Sequence, residues 1–220
     1  FLKFVCTIRQ VYLLVKRIYY QMIVVDVEST GVDPRLCSLL SVGAIDFDAP
    51  KNQFYMECRA FEGAHVEREA LEVNGFSNIA IHDPGKASDR EVVLAFLAWL
   101  KSCKEWTLAG QNPSFDRDFL QETAHRYHLN WPLAHRTVDL HSVAYAKFLR
   151  IGKAIPRKSN HSALNLDAIL AYVGLPARVG KHNALEDAKL EAEALSRLIW
   201  GRNPQSEYPA FGMPKGTEKQ

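Results

Sequence analysis

Two carboxylates stand one residue apart in an apolar run, in the segment VVDVESTG at residues 24–31. The run is short and rich in β-branched residues, which predicts a central β-strand. Residues two apart on a strand point to the same face, so Asp26 and Glu28 would present neighbouring carboxylates on one side of a sheet. Both stay ionised at neutral pH only beside a compensating cation, because proximity and burial favour the protonated forms. Taken alone, the pair favours a simpler interpretation, a strand end at which both side chains reach water.

Two later segments add further acidic groups and an imidazole. In AGQNPSFDRDFL, Asp116 follows a predicted strand and a turn, where the carboxyl end of a strand delivers side chains to a cleft. In KHNALEDAKLEA, His182 would lie on a loop and Asp187 on the first turns of the following helix. Alone, Asp116 could be a helix cap or a surface charge, and His182 an ordinary loop residue. Together, the three segments supply four carboxylates and one imidazole.

This set of groups suits hard divalent cations. Mg²⁺ and Mn²⁺ prefer oxygen ligands, and phosphate oxygens can complete their coordination. Four carboxylates offset the charge of two such ions, and two ions about 3.5 to 4 Å apart can stabilise both the attacking and the leaving oxygen of a phosphoryl displacement. His182 would then accept the proton of the attacking water, since the pKa of an imidazole lies near working pH.

Three motifs, in order along the chain, carry a resemblance to a known family. They are Asp26-x-Glu28 followed by Thr30-Gly31, then Asn112 with Phe115-Asp116, and finally His182-x-x-x-x-Asp187. They resemble the exonuclease motifs of the DEDDh 3′-to-5′ exonucleases, a group that includes the proofreading epsilon subunit of bacterial DNA polymerase III, ribonuclease T and exonuclease X. The resemblance covers residues 22–200. It implies a ribonuclease H-like fold and the release of nucleoside 5′-monophosphates from the 3′ end of single-stranded DNA or RNA, with two Mg²⁺ or Mn²⁺ ions.

The resemblance also implies a role for each matched residue. Asp26 would bridge both ions, Glu28 and Asp187 would hold the ion on the nucleophile side, and Asp116 would assist them in metal binding. His182 matches the general base. Contacts with the terminal nucleotide are implied for a further group: Thr30, Gly31, Val32, Asn112 and, in the segment EREALEVNGF, Asn74.

Two departures from the family pattern bear on these roles. Family members often carry His-Asn before the second motif, whereas this chain has Gln111-Asn112, so a contact made by that histidine is not expected. Oligoribonucleases usually have Met-Thr-Gly after the first motif, and this chain has Ser-Thr-Gly, which disfavours that subgroup. The acidic set itself is complete.

The elements that must position these residues predict one α/β domain. Strands are expected in residues 22–28, 36–48, 52–61, 106–110 and 136–144, and helices in 89–103, 115–128, 163–175 and 184–200. The first three strands predict an antiparallel meander. The alternating helices and strands that follow indicate a mixed sheet flanked by helices.

The two ends of the chain differ from this central domain, predicted for residues 22–200. Residues 1–21 are apolar and aromatic, but Lys3, Arg9, Lys16 and Arg17 interrupt them too often for a membrane span. Met22 directly precedes the first motif, so residues 1–21 are either upstream sequence that is not native to the domain or an amphipathic helix packed on the domain or a partner. Residues 201–220 hold Pro, Gly and charges without a period and predict a flexible tail, a possible binding segment for a polymerase or another replication or repair protein.

Composition limits the remaining choices. The chain has 220 residues, 47% of them hydrophobic, and a net charge of only +2, so nucleic acid would have to be held by local patches. The segment KFLRIGKAIPRKSNH, residues 147–161, has five Lys or Arg residues and no Asp or Glu, which suits a strand of phosphates but also an ordinary solvated loop. Four widely spaced cysteines, Cys6, Cys37, Cys58 and Cys103, indicate reduced thiols in a cytoplasmic protein.

Two other classes compete with a nuclease. A non-catalytic ribonuclease H-like module that binds nucleic acid or a partner would ordinarily have lost a metal ligand, and none is missing here. A Rossmann-type nucleotide binder needs G-x-G-x-x-G after its first strand, and the segment ESTGVDP lacks that pattern. The sequence therefore favours a metal-dependent 3′-to-5′ exonuclease for DNA proofreading, repair or RNA processing.

Overall fold

A computed structural model describes residues 22–201 together with residues 204, 205 and 208. The predictions for residues 1–21, including Cys6, lie outside the described residues, as does most of the segment after Gly201. Of that segment, the Gln205 amide N–H donates to Glu193, and the Tyr208 carbonyl accepts from Arg197. The domain limits remain predictions.

The described chain is built on one mixed β-sheet with the strand order β4-β3-β2-β1-β5-β6. Its strands are β1 (Ile23–Ser29), β2 (Leu39–Asp46), β3 (Gln53–Arg59), β4 (Ala87–Ser88), β5 (Leu108–Gly110) and β6 (Thr137–Asp139). Strands β1 to β3 pair antiparallel, whereas β5 pairs parallel to β1 and β6 parallel to β5. The predicted mixed sheet, with an antiparallel meander followed by parallel strands, is confirmed.

Helices cover both faces of this sheet. They are α1 (Arg68–Asn74), α2 (Asn78–Ile81), α3 (Asp89–Leu100), α4 (Pro113–Arg126), α5 (Leu140–Arg150), α6 (Leu166–Val173) and α7 (Ala184–Trp200). A small separate hairpin pairs β7 (Arg157–Lys158) with β8 (His161–Ser162). Among the described helices, none is long and apolar enough to cross a membrane.

Strand β1 separates two apolar cores because its side chains alternate between the two faces of the sheet. Ile23, Val25 and Val27 belong to the core that α3 and α4 cover. Val24 belongs to the opposite core, which α5, α6 and α7 cover. Asp26 and Glu28 share the parity of Val24, so both carboxylates face the side on which α7 packs.

Helix α7 approaches the sheet closely at Gly43, which pairs with Asp26 across β1 and β2. A Cβ atom at this position would lie 2.1 Å from the Leu185 nitrogen and 2.2 Å from the Ala184 carbonyl carbon. Both neighbours are backbone atoms, so no side-chain rotation could relieve the contact. Gly43 therefore lets the first turn of α7, which carries Asp187, lie directly over the strand that carries Asp26.

The strand predicted for residues 136–144 is wrong over most of its length. Only Thr137–Asp139 pairs with β5, and α5 begins at Leu140. The Asp139 carboxylate accepts hydrogen bonds from the His141 and Ser142 amides at 3.1 and 3.2 Å, so it ends the strand and caps the helix. The apolar residues read as a buried strand are instead the inner face of a helix, with Leu140, Ala144 and Phe148 in the core.

Among the described residues, Cys37, Cys58 and Cys103 are buried free thiols, in agreement with the prediction that the cysteines form no disulfide framework.

We expect Gly43→Ala to destabilise the protein by at least about 2 kcal/mol, because the new methyl group must push the backbone of α7 away from the sheet. Urea unfolding followed by circular dichroism measures the change. Gly85→Ala is the matched control, since a Cβ atom there meets only the side chain of Asp83, at 3.1 Å. Equal stability of the two variants would contradict the close approach of α7 to β2.

Candidate active site

The predicted motifs meet in a cleft of about 500 Å³ at the carboxyl end of β1. Its walls come from β1 and the loop after it, from α1, and from the loop that leads into α7. Asp26, Glu28, His182 and Asp187 all line this cleft. Asp116 lies just behind them, buried, with its Oδ1 accepting a 2.9 Å hydrogen bond from the Val27 amide. The structure therefore brings the four predicted carboxylates and the imidazole together.

The carboxylates are positioned by regular elements rather than by mobile loops. Asp26 and Glu28 are fixed by the pleat of β1, which pairs on both edges. Asp116 lies in the first turn of α4. The residue before this helix, Asn112, has a left-handed backbone conformation with φ 58° and ψ 50°, and Pro113 is the first helical residue. The Asn183 side chain caps α7 by accepting from the Leu185 and Glu186 amides, which sets the direction of Asp187.

His182 lies beside Asp187 on the loop before α7, as predicted. Its Nδ1 is 3.7 Å from the Asp187 Oδ2, and its backbone amide donates to the Val73 carbonyl at the end of α1. The Lys181 ammonium also donates to a carbonyl of α1, that of Glu72. These two contacts hold the loop against α1 and keep the imidazole at the rim of the carboxylate group.

Arg178 is a site residue that the motif pattern missed. Its guanidinium donates to Asp187 Oδ2 at 2.9 Å and to both oxygens of Asp167, and its Nη1 is 3.4 Å from His182 Nδ1. The loop that carries it has no periodic pattern, so only the fold shows that this cation reaches the cleft. It is a fixed positive charge next to two of the predicted functional groups.

Glu191 is a second missed residue. It follows Asp187 by one helical turn on α7, is 1% exposed, and lines the same cleft as Asp26. The four-residue spacing in ALEDAKLEAEAL was a usable signal, since residues i and i+4 share one face of a helix. The acidic group around Asp26 therefore has five members rather than the four that the motifs predict, and Glu67 and Glu69 also line the cleft.

Burial and mutual repulsion hold protons on these carboxyl groups. Burial is the largest cause that raises the pKa of Asp26 well above its usual value, and the charges of Glu191 and Asp116 add to it. Burial, followed by the charge of Asp187, raises the pKa of Glu28 to about 8, although Arg178 opposes the shift. Burial likewise raises the pKa of Asp116 to about 8 against the hydrogen bond from Val27. This group is electrostatically incomplete without added positive charge.

His182 shifts in the opposite direction. Burial is the largest cause that lowers its pKa, the Arg178 guanidinium lowers it further, and the Asp187 carboxylate opposes both. The imidazole is therefore neutral at neutral pH and able to accept a proton.

The predicted nucleotide-binding residues are placed in different ways. Gly31, Val32 and Asn74 line the cleft, and the Val32 side chain is 70% exposed. The Thr30 hydroxyl is fully buried, donating to the His65 carbonyl at 2.6 Å and accepting from the Ser38 amide at 2.8 Å. Asn112 is exposed at the start of α4, where its amide donates to Asp139. The side chain of Thr30 thus braces the loop after β1.

Asn74 and Gly31 give that loop its shape. The Asn74 side-chain amide donates to the Ser29 carbonyl at 3.0 Å, which joins α1 to the end of β1. A Cβ atom at Gly31 would lie 2.5 Å from the Glu67 Oε1, an oxygen that accepts from the Val32 amide. A small residue at position 31 therefore keeps the loop close to α1.

The donor set fits hard divalent cations. Ligand atoms of Glu28, His182 and Asp187 lie within 4.8 Å of one another. The buried Glu191 Oε2 has no hydrogen-bond partner in the described part of the chain. Carboxylate oxygens that lack donors and repel one another are what Mg²⁺ or Mn²⁺ binds, and Zn²⁺ accepts the same oxygen and imidazole groups.

In a chelator we expect stability to fall as pH rises from 6 to 8, by on the order of 1 kcal/mol per pH unit for each carboxyl group that keeps its proton. Glu28 and Asp116 titrate near pH 8 in the folded protein and near 4 in the unfolded chain. The folded state therefore binds more protons over this range, and raising the pH removes that stabilisation. Thermal unfolding at both pH values, with EDTA present, measures the effect.

Asp26→Asn is the informative variant in the same experiment, because it removes one charge from the centre of the group. It should unfold at a higher temperature than the wild type at pH 8 and depend less on pH. A wild-type protein that becomes more stable between pH 6 and 8 would show that the carboxyl pKa values are not raised.

Comparisons with known proteins agree with this geometry. The exonuclease family model named RNase T matches residues 23–195. The chain is 30% identical over 179 residues to the 3′-5′ DNA exonuclease Cap18 of Escherichia coli, covering 80% of this chain and 89% of Cap18.

Two solved structures share the fold. The nuclease domain of 3′hExo, described as a DEDDh family member bound to rAMP, superposes with a TM-score of 0.63 at 17% identity and covers 83% of this chain and 93% of that one. Exonuclease I of E. coli in complex with a 5cy-dT13 oligonucleotide superposes with a TM-score of 0.65 at 16% identity, covering 82% of this chain and 41% of that one. These likenesses confirm the ribonuclease H-like fold predicted from the motifs. With its family match and its complete set of Asp26, Glu28, Asp116, His182 and Asp187, the chain belongs to the RNase T family of exonucleases and is a DEDDh-type 3′-to-5′ exonuclease.

Proposed function

We propose that this exonuclease uses two divalent ions and the His182 imidazole to release nucleoside 5′-monophosphates from the 3′ end of single-stranded nucleic acid. The supporting observation is the meeting of Asp26, Glu28, His182 and Asp187 in one cleft, with Asp116 behind them. Bound Mg²⁺ or Mn²⁺ would supply positive charge to the attacked phosphate and to the leaving oxygen. A non-catalytic role is disfavoured because every residue of the acidic set is present.

His182 has the properties of a general base. Its imidazole is neutral because burial and Arg178 lower its pKa, and it lies at the open rim of the cleft, where a water molecule can approach. It takes the proton of the attacking water, and the neighbouring Asp187 carboxylate stabilises the imidazolium that forms. The oxygen that leaves is the 3′ oxygen of the shortened strand, so the released nucleotide keeps its phosphate on the 5′ side.

The loop after β1 closes one end of the cleft, where a terminal nucleotide would bind. Gly31, Val32 and Asn74 form its wall, and the exposed Val32 side chain provides an apolar surface against which a base can pack. The 3′hExo structure was solved with rAMP and the exonuclease I structure with a DNA oligonucleotide, which supports a single-stranded end as the ligand of this cleft. Both DNA and RNA remain candidate substrates.

The basic segment at residues 147–161 is a candidate path for the rest of the strand. Arg157 and Lys158 are exposed on the hairpin, whereas Phe148 is buried in the core and unavailable for stacking on a base. The His141 Nε2 contacts the Ser162 Oγ at 2.9 Å, which holds the hairpin against the start of α5. A polymerase or repair partner for the chain end remains a proposal from the sequence.

We expect the wild-type protein to shorten a 5′-labelled single strand one nucleotide at a time in Mg²⁺ and to leave a circular strand intact. Asp26→Asn and Asp187→Asn should lose this activity while remaining folded, because an amide cannot supply the anionic charge that the ions need. Matched DNA and RNA strands, resolved by length, show which sugar is preferred. Rapid nicking of circular strands, or full activity in excess EDTA, would contradict the proposal.

His182→Ala should slow cleavage by about 10²- to 10⁴-fold, the usual contribution of a positioned general base. It should still bind the strand, and higher pH should restore part of the rate by supplying hydroxide. Gel-shift binding and single-turnover cleavage separate the two effects. A variant that cleaves at the wild-type rate would exclude His182 as the base.

Arg178→Gln should move the acidic limb of the pH–rate profile to higher pH. The guanidinium lowers the pKa of His182, so its removal raises that pKa, and the imidazole then becomes neutral only at higher pH. Arg35→Gln is the control, since Arg35 is exposed and pairs with Asp33. An acidic limb at the same pH in wild type and Arg178→Gln would show that Arg178 does not tune the base.

A further inference from the structure

Glu191 stands apart from the three motifs but lies inside their cleft. It is 1% exposed, and one of its oxygens accepts a hydrogen bond from the Gln111 backbone. The other, Oε2, is buried without a partner among the described residues, and so is the side-chain oxygen of Gln111, which lines the same cleft. Buried oxygens of native proteins nearly always meet a donor, an ordered water or a cation, so these two mark a place in the cleft that such a group would fill.

The fold makes room for this carboxylate at the end of β5. A Cβ atom at Gly110 would lie 2.9 Å from the Glu191 Oε2 and 2.8 Å from the Val25 carbonyl, so only glycine leaves the space that the carboxylate occupies. Val25 directly precedes Asp26 on β1. Glu191 is thus seated on the sheet beside the residue that would bridge two ions.

Glu28, Asp187 and His182 form a compact cluster, in which Arg178 also contacts Asp187. Glu191 lies outside that cluster, yet its charge acts on Asp26 more strongly than that of any other carboxylate, followed by Asp116. An ion bound beside Asp26 would therefore be within the influence of Glu191 as well.

From this geometry we propose that Glu191 is an additional ligand for a divalent cation, holding through Oε2 an ion bound beside Asp26. The proposal rests on the two-ion function proposed above and deepens it. It assigns a metal-binding role to a residue outside the DEDDh set. The ion that Glu191 would bind is a hard cation that prefers oxygen ligands, such as Mg²⁺ or Mn²⁺.

The test measures Mn²⁺ binding to the 220-residue chain without nucleic acid, by isothermal calorimetry and by the electron paramagnetic resonance signal of free Mn²⁺. The wild type should bind two ions. Glu191→Gln should bind the weaker ion about 10- to 100-fold less tightly, the scale on which supporting groups change metal affinity. The control is Glu186→Gln on the same helix, whose exposed carboxylate pairs with Lys189, and it should bind as the wild type does.

The outcomes separate this inference from the proposed function. If the wild type and Glu191→Gln both bind two ions with equal affinity, the role of Glu191 is overturned and the two-ion mechanism still stands. A wild type that binds fewer than two ions overturns both. If Glu191→Gln does not fold, an anomalous difference map of wild-type crystals soaked in Mn²⁺ decides: a peak about 2.1 Å from Glu191 Oε2 supports the proposal, and peaks that avoid this oxygen overturn it.

Discussion

Carboxylates that share a buried cleft repel one another, and the fold of this exonuclease holds them together against that repulsion. Strand β1 presents Asp26 and Glu28, while α7 brings Asp187 and Glu191 over the same face of the sheet. The approach depends on Gly43, where a side chain would meet the backbone of α7. The apolar residues on both faces of β1 provide the stabilisation that this arrangement requires. The strain in the cleft is electrostatic and is relieved by cations.

Arg178 affects both the electrostatic stability of the acidic group and the protonation of His182. Burial lowers its pKa, but the hydrogen bonds with Asp167 and Asp187 outweigh that effect and raise it, so the guanidinium remains charged. One side chain thereby neutralises part of the acidic group, orients Asp187 and keeps His182 neutral. A fixed cation supplies a single charge, however, and cannot replace divalent ions beside five carboxylates. The residual negative charge is the physical reason to expect divalent ions in this cleft.

The parts of the cleft are built on different kinds of backbone. The acidic residues lie on β1, α4 and α7, whose backbone hydrogen bonds and core packing fix the directions of the carboxylates. The predicted nucleotide contacts lie mainly on the loop after β1, which Thr30 and Asn74 brace from within. The residues proposed to bind metal are thus carried by regular elements, and the proposed substrate end is formed by a supported loop.

Sequence alone determined the identity and order of the three motifs, because residue type and spacing decide which side chains can share a metal. It also determined the mixed sheet, since period-2 and period-3.6 patterns depend on local side chains. It failed at residues 140–144, where the apolar pattern of a helix resembles that of a buried strand and the capping role of Asp139 decides between them. The roles of Asn183, Gly43 and Gly110 could not be predicted from the sequence. A helix cap or a close backbone contact can be recognised only when the packing of the elements is known.

The tertiary structure alone decided which charges face one another. Arg178 lies in the cleft because of the path of one loop, which no sequence pattern predicts. The spacing places Glu191 on the same helical face as Asp187, but only the crossing of α7 over β1 brings that face into the cleft. Likewise, Thr30 is a buried brace because the loop after β1 folds onto Ser38 and His65. The amino-acid sequence sets which side chains are available. The burial of each side chain, its distance from the others and its hydrogen-bond partners depend on contacts between residues far apart in the chain.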